Sequence, residues 1–306
     1  MKILFFGSSQ FSLPPLVSIF KDVIAVVTKR PRPKGRGYLL EDNEVKKVAI
    51  EHNIPLIEID SFRDEAAAHI REIKSDLFVV ASFGLIIPKW ALDVPSIGAI
   101  NIHPSLLPRY RGPSPIQWAI LNGEEVTGIT IMKVSERMDA GNIIYQEPLM
   151  IRPEDNAITL SERLSRRSAE ILPEIINEIE IDGLPPGIEQ NEEDATYTPI
   201  IKKEMGKIDW YRDAIEIARQ IKAFVQWPTA YTFLDGTMLK IFEGEPAGLD
   251  LKAQPGMIVS VKREGIVVAT SDKAILLKEV QLQNKRRMKA YDFANGYKGL
   301  IGKVCL

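Results

Sequence analysis

Residues 77–103 read LFVVASFGLIIPKWALDVPSIGAINIH. Two apolar runs stand out in this stretch, Leu77–Ala81 and Ala99–Ile102. Each is too short for a helix and reads as a buried strand. Upstream, Ile3–Phe6 and Val23–Val27 are runs of the same kind, and Val45–His52 and Ala66–Ile73 carry helical patterns between strands. Strand, helix, strand in repetition predicts an α/β domain with a Rossmann-like, doubly wound, mostly parallel sheet. Ligands of such sheets bind beyond the carboxyl ends of the strands, where strand order reverses. The segment after the first strand reads Gly7-Ser8-Ser9-Gln10-Phe11-Ser12. It lacks the G-x-G-x-x-G fingerprint, which argues against a nicotinamide dehydrogenase.

Downstream, Leu160, Leu164, Ile171, Ile175 and Ile179 keep helical spacing after Asn156. Gly183-Leu184-Pro185-Pro186-Gly187 and a polar, acidic stretch to Ala195 follow, and this punctuation predicts a linker. Beyond it the pattern changes. One helix, Ala214–Phe224, places Ile217, Ile221 and Phe224 on one face. Tyr231–Leu234 and Met238–Phe242 then flank Asp235-Gly236-Thr237, a hairpin signal. Met257–Val261, Ile266–Thr270 and Ile275–Val280 complete a set of short strands that predicts a small, OB-like β-barrel. The expected division is a catalytic domain over 1–188, a linker over 189–206 and a C-terminal domain over 207–306.

A chain of 306 residues suits two domains. Its longest apolar run, Leu77–Ile87, is too short to span a bilayer, and the segment before Gly7 does not resemble a signal peptide. The single Cys305 leaves no partner for an internal disulfide or a cysteine metal cluster, and only three histidines are present, so no metal site is expected. A cytoplasmic monomer is the expectation. From Lys203 onward there are 17 Lys+Arg against 12 Asp+Glu, which leaves 22 against 29 before it. A basic C-terminal part can mark an anionic macromolecular partner.

The chemistry concentrates in residues 101–141. They begin NIHPSLLPRYRGPSPIQW and reach Asp139-Ala140-Gly141. Asn101 and His103 are two apart, so an extended backbone points both to one face. Pro104, Pro108, Pro113 and Pro115 stiffen the loop that follows. Singly, an Asn before a loop, a lone His and an Asp before a Gly each have a plain structural reading. Together they suit acyl transfer to an amine. That reaction develops an oxyanion, which Asn101 and a protonated His103 can receive, while the imidazole can also shuttle a proton. A carboxylate beside the imidazole favours its charged form. The substrate amine is itself the nucleophile, so no Ser or Cys is needed.

The ordered set N-x-H-P-S-L-L-P, Y-R-G-P-S-P-I and an Asp 36 residues after His103 resembles the folate-dependent formyltransferase family. The resemblance implies that Asn101, His103 and Asp139 are catalytic. It also implies that 10-formyltetrahydrofolate is the formyl donor, and that Ser105, Leu106, Leu107 and Pro108, with Leu85 and Ile87, contact the folate. Lys207-Ile208-Asp209-Trp210, Ala223–Tyr231 and Lys29–Leu40 are similar to the branch of the family whose acceptor is initiator methionyl-tRNA. In that branch the segment matching Lys29–Leu40 is an inserted loop that embraces the acceptor stem. Arg30, Arg32, Lys34 and Arg36 then become tRNA contacts, with Arg286 and Arg287 of the second basic cluster beside them. Arginine forks suit phosphates. Two segments differ from the family pattern: Gly7-Ser8-Ser9-Gln10 where Gly-Thr-Pro-Glu is usual, and Glu41–Lys46 where Pro-Ser-Pro-Val-Lys is usual. The acids of the second stand beside the basic loop. Rival readings are a sugar-amine formyltransferase, a formylfolate hydrolase and a catalytically silent RNA-binding protein. The basic loop argues against the first two, and the retained catalytic-type residues argue against the last.

Overall fold

The computed structural model describes residues 1–34, 39–248 and 253–306. Its packing forms two compact units. The first comprises Met1–Pro115, Val126–Met150 and Ser161–Thr198, and the second comprises Ile116–Glu125, Ile151–Leu160 and Pro199–Leu306.

In chain order the strands of the first unit are β1 (Ile3–Gly7), β2 (Val23–Lys29), β3 (Arg32–Lys34), β4 (Leu39–Glu41), β5 (Leu56–Ile59), β6 (Leu77–Ala81), β7 (Gly98–His103), β8 (Val126–Lys133) and β9 (Ile143–Met150). Seven of them form one sheet in the order β5-β2-β1-β6-β7-β8-β9. The run from β5 to β7 is parallel. β8 and β9 add antiparallel at one edge. β3 and β4 pair apart as a short ribbon.

The chain builds outward from β1 through β2 to β5, then returns to β6 and builds the other way. Strand order therefore reverses between β1 and β6, the point beyond whose carboxyl ends such sheets bind ligands. Alternate residues of the parallel strands make one core. Leu4 and Phe6, Ala25 and Val27, Ile57 and Ile59, Phe78 and Val80 are all buried in a single cluster. Both sheet faces are covered, so these strands read as continuous apolar runs and not as alternation. Each fully buried Leu, Ile or Phe contributes roughly 1.5–3 kcal/mol.

The helix expected after Asn156 runs over Ala157–Asp182. The Asn156 carboxamide oxygen accepts from the Ile158 and Thr159 amides at 2.9 and 3.1 Å, which caps the otherwise unpaired first turn. The expected apolar stripe Leu160, Leu164, Ile171, Ile175 and Ile179 is buried. No helix among the described residues is long and apolar enough to cross a membrane.

The second unit holds the helix Ala214–Ala223 and strands β10 (Ala230–Leu234), β11 (Thr237–Pro246), β12 (Ile258–Lys262), β13 (Gly265–Ala269), β14 (Ala274–Leu282) and β15 (Met288–Lys289). They pair antiparallel in the order β10-β11-β14-β13-β12, with β15 beside β14. The hairpin expected at Asp235-Gly236-Thr237 turns on Asp235 and Gly236 alone, both at positive φ, as a two-residue turn requires. The edges of this sheet are not left open. Phe233 of β10 exchanges two backbone hydrogen bonds of 2.9 Å with Leu306, and Ile258 of β12 bonds Lys303 and Gly302 at 2.8 Å. The last residues thus stand between the two edge strands, where they satisfy backbone groups that would invite other chains. A buried cluster that includes Trp210, Ile217, Ile221, Ile241 and Val268 fills the interior.

Candidate active site

Strand β7 carries Asn101 and His103 to the carboxyl edge of the sheet. Its register places Asn101 between Val80 of β6 and Met132 of β8, and His103 opposite Thr130 of β8. The strand runs on through His103, so the imidazole sits on regular backbone and is buried. Its Nε2 lies 2.9 Å from the Tyr110 carbonyl oxygen. A carbonyl only accepts, so Nε2 carries a proton and donates there. That leaves Nδ1 as the nitrogen free to exchange a proton.

Nδ1 lies 3.7 Å from Asp139 Oδ2. The gap is longer than a hydrogen bond and lies near the outer limit of an ion pair. The same carboxylate oxygen accepts from the Gly112 amide at 2.8 Å. Asp139 has φ +48°, a conformation rare for a residue with a side chain. Gly141 ends this turn, and a Cβ there would come within 1.8 Å of the Lys133 carbonyl oxygen. The D-x-G spacing is thus steric as well as chemical. Asn101 is half-buried, and its carboxamide makes no hydrogen bond among the described residues.

The loop after β7 is held from below. Thr130 Oγ1 donates to the Ser105 carbonyl at 2.6 Å and accepts from the Leu107 amide at 3.2 Å. Gln146 Nε2 donates to the Leu107 carbonyl and to Thr130 Oγ1, both at 2.9 Å. Ser105 Oγ donates to the Arg109 carbonyl at 2.7 Å. Ser105 and Leu107 are buried, while Leu106 and Pro108 are half-buried.

Arg111 is fully buried. Its Nε donates to Gln190 Oε1 at 3.0 Å, and its two terminal nitrogens pair with the two oxygens of Glu192 at 3.1 Å each. Tyr197 Oη accepts a further bond of 2.9 Å. Burial works to lower the basicity of this guanidinium, but the bonds to Glu192 and Tyr197 outweigh it and hold the charge. Reciprocally, Arg111 keeps the Glu192 carboxyl below the usual carboxylate range, with Arg137 assisting.

A cavity of about 300 Å³ opens beyond the carboxyl ends of β5 and β6, lined by Asp60, Phe62, Leu85, Ile86, Pro88 and Trp90 among others. It includes Leu85 of the expected folate residues, but neither Ile87 nor Ser105–Pro108. Ile87 is packed in the core beneath. Ile86, which the sequence reading passed over, is exposed at the cavity wall. Beyond the strand ends, Ser9 Oγ donates to Ser82 Oγ at 2.8 Å and Lys29 Nζ to the Gly84 carbonyl at 2.9 Å.

The basic residues divide. Arg30 is half-exposed, 3.6 Å from Asp64 and 3.9 Å from Asp60. Arg32 and Lys34 stand on β3, and Arg36 lies outside the described residues. Arg286 is exposed, whereas Arg287 pairs with Glu279 and sits 4.2 Å over the Phe242 ring.

The profile of the family described as formyl transferase matches residues 2–176, and that of the formyl transferase C-terminal domain matches residues 200–298. The chain belongs to the formyl transferase family. It is 39% identical to the methionyl-tRNA formyltransferase of Geobacter sulfurreducens, over 97% of this chain and 94% of that one. It is 42% identical to the methionyl-tRNA formyltransferase of Bacillus subtilis, over 96% of this chain and 94% of the relative. Among solved structures, HypX from Aquifex aeolicus in complex with tetrahydrofolic acid superposes with a TM-score of 0.68 at 20% identity, and that likeness is one of fold. It covers 99% of this chain, which spans 48% of the HypX chain.

The sequence reading missed the groups that hold the set in place: the Tyr110 carbonyl, the Gly112 amide, Gln190 and the Thr130–Gln146 cradle. Tyr110-Arg111-Gly112 stood inside the motif. Nothing local marked Gln190, which lies 79 residues from Arg111.

Proposed function

We propose that this chain transfers the formyl group of 10-formyltetrahydrofolate to the amine of initiator methionyl-tRNA. The observation that carries the chemistry is the arrangement of His103. One ring nitrogen is committed to the Tyr110 carbonyl and the other faces the Asp139 carboxylate at 3.7 Å. Relatives near 40% identity along the whole chain, all bearing the name methionyl-tRNA formyltransferase, support this acceptor over a sugar amine.

The donor supplies an electrophilic formyl carbon. Asn101 offers its carboxamide N–H groups to the oxygen that gains charge as the amine attacks. His103 presents Nδ1 to the same region, with Nε2 committed to the Tyr110 carbonyl. After attack Nδ1 takes the proton that the amine sheds, and the imidazolium so formed offers that N–H to the oxyanion and delivers it to the departing nitrogen. Asp139, 3.7 Å from Nδ1, stabilises the imidazolium while it exists. Transfer is direct, with no covalent enzyme intermediate. The cavity beside β6, walled by Phe62, Leu85, Ile86 and Trp90, suits a flat aromatic body. Its wall Leu85–Trp90 belongs to the connection that leads from β6 to β7, which supports a long donor whose reactive end reaches His103. Ser105 and Leu107 support the site as loop framework, leaving Leu106 and Pro108 as the half-buried members able to meet a ligand.

Arg30, Arg32, Lys34 and Arg36 are assigned to acceptor-stem phosphates, with Arg286 and Arg287 as further contacts. Such binding weakens with salt through counterion release. The setting for this reaction is the cytoplasm. The test is incubation with 10-formyltetrahydrofolate and methionyl-tRNA at several salt concentrations, with analysis for N-formylmethionine. Formation of the product, with a salt slope that shrinks when the cations of Lys29–Arg36 are neutralised, is expected. Absence of product, or formylation of small amines alone, sinks the reading.

A further inference from the structure

Residues 190–198 form no strand, and their only helical turn is the short Glu192–Asp194. Yet Gln190 and Thr198 are buried. The segment closes on Tyr110–Gly112 along its length. The Tyr110 amide donates to Thr196 Oγ1 at 2.8 Å, the Arg111 amide to the Thr196 carbonyl at 2.8 Å, and the Thr198 amide to the Arg111 carbonyl at 2.7 Å. Those same residues touch the catalytic set, Tyr110 through its carbonyl to His103 and Gly112 through its amide to Asp139.

Gln190 sits where these contacts meet. Its Oε1 accepts from Arg111 Nε, which fixes which end of the carboxamide is oxygen. Its Nε2 then donates to the Asp139 carbonyl at 2.9 Å and to the Gly141 carbonyl at 2.8 Å. One side chain thus grips both ends of the three-residue turn that carries the carboxylate. That turn needs a grip, because Asp139 at φ +48° is disfavoured for a residue with a Cβ and persists only where its surroundings over-determine it. No other uncharged side chain offers the same combination at this length. Glutamate would turn acceptors toward two carbonyls, and methionine would offer neither donor nor strong acceptor.

We infer that Gln190, oriented by Arg111 and through it by Glu192, is a positioning residue for formyl transfer that sets the Asp139 carboxylate against His103 Nδ1. The inference rests on the reading of Asn101, His103 and Asp139 as the catalytic set. A displacement near 1 Å at a reacting group can cost about 100-fold in rate, so a partial release of the turn is visible in kcat.

The test is a double-mutant cycle in the full chain, combining Gln190→Met with Asp139→Asn, with kcat and both KM values measured for methionyl-tRNA and 10-formyltetrahydrofolate. Gln190→Met is expected to lower kcat by about 10-fold or more while each KM stays within about twofold. In the Asp139→Asn background the same change is expected to alter kcat by less than about twofold, because the group it positions is already impaired. Gln190→Glu keeps the Arg111 bond and loses both donations, so it is expected to match Gln190→Met, and it carries the test should the methionine variant melt early. If the two losses multiply in the cycle, or if folded Gln190→Glu turns over like wild type, the inference is overturned and the catalytic set stands. If Asp139→Asn alone turns over like wild type, the catalytic reading itself falls, and the inference with it.

Discussion

The first unit contains two clusters of the same chemistry, an arginine forked onto a glutamate with a tyrosine hydroxyl beside it. At Arg167 the guanidinium meets Glu147 at 2.7 and 2.9 Å and Glu170 at 2.7 Å, and Tyr145 Oη donates to Glu147 at 2.6 Å. At Arg111 the bonds to Glu192 are longer, 3.1 Å each. Distance alone ranks the first cluster higher. Burial reverses the ranking, since the Arg167 side chain is 42% exposed and that of Arg111 is 0% exposed. Water already solvates and screens the Arg167 pair, so its net worth is small. Arg111 has no such alternative, and a charge left unpaired in the interior is costly. The clusters differ also in what they hold. Arg167 ties a helix face to the edge strand β9. Arg111 lies between Tyr110 and Gly112, the two residues that hold His103 and Asp139. Short bonds therefore do not identify the cluster that matters; burial and attachment do.

The contrast breaks first at the groups the Arg111 cluster surrounds. Replacement of His103 by Ala, or of Asp139 by Asn, is expected to cut formyl transfer by about 100-fold or more, the scale of a lost oxyanion donor or its support. Single-turnover rates check this, with folate binding measured alongside and expected to persist. Wild-type rates in both variants would reduce the Arg111 cluster to packing.

Next is Arg111 itself. Arg111→Met should cost about 3 kcal/mol of stability, toward the low end for a broken buried pair because Glu192 regains water. Urea unfolding reads the loss. A midpoint equal to that of wild type would mean that this buried charge contributes nothing.

Acid sharpens the comparison more gently. Arg167 and then Tyr145 hold the Glu147 carboxyl below the usual carboxylate range, as Arg111 does for Glu192. A depressed folded value contributes stability that is present above the unfolded value, about 4.3 for Glu. It is lost as pH falls through the folded value. The melting-temperature gap between wild type and Glu192→Gln should therefore shrink as pH drops below about 5. Glu147→Gln should follow the same course from a smaller gap at neutral pH, because it strands no buried cation. Gaps that widen in acid would reverse the assignment.

The smallest effect is expected at the exposed cluster. Arg167→Met should change stability by no more than about 1 kcal/mol and leave kcat unaltered. A loss of stability as large as that of Arg111→Met would erase the distinction drawn between the two.

Much of this was legible in sequence for a physical reason. The runs Ile3–Phe6, Val23–Val27 and Leu77–Ala81 are apolar throughout because both faces of a parallel sheet are covered, and such runs announce themselves. Asp235-Gly236 declares its turn through backbone conformations that few residues adopt. Asn101, His103 and Asp139 were legible because they sit in an ordered motif whose spacing is partly steric, as Gly141 against Lys133 shows. Other features carried no local signal. β8 and β9 were not singled out, and the closure of the second sheet by Lys303–Leu306 depends on partners far upstream.

The sequence by itself determined the parallel strands, the second sheet with its hairpin, and the motif that places Asn101, His103 and Asp139, the residues proposed as catalytic. Those follow from local periodicity, turn stereochemistry and spacing. Only the tertiary structure decided what the acidic, glycine- and proline-flanked stretch around Gln190 does. Its residues are those of a solvated linker, and they become part of the site because folding buries one guanidinium, Arg111, that no nearby residue can satisfy. A buried charge must find its partners wherever the chain brings them, and here they come from 79 and 81 residues away.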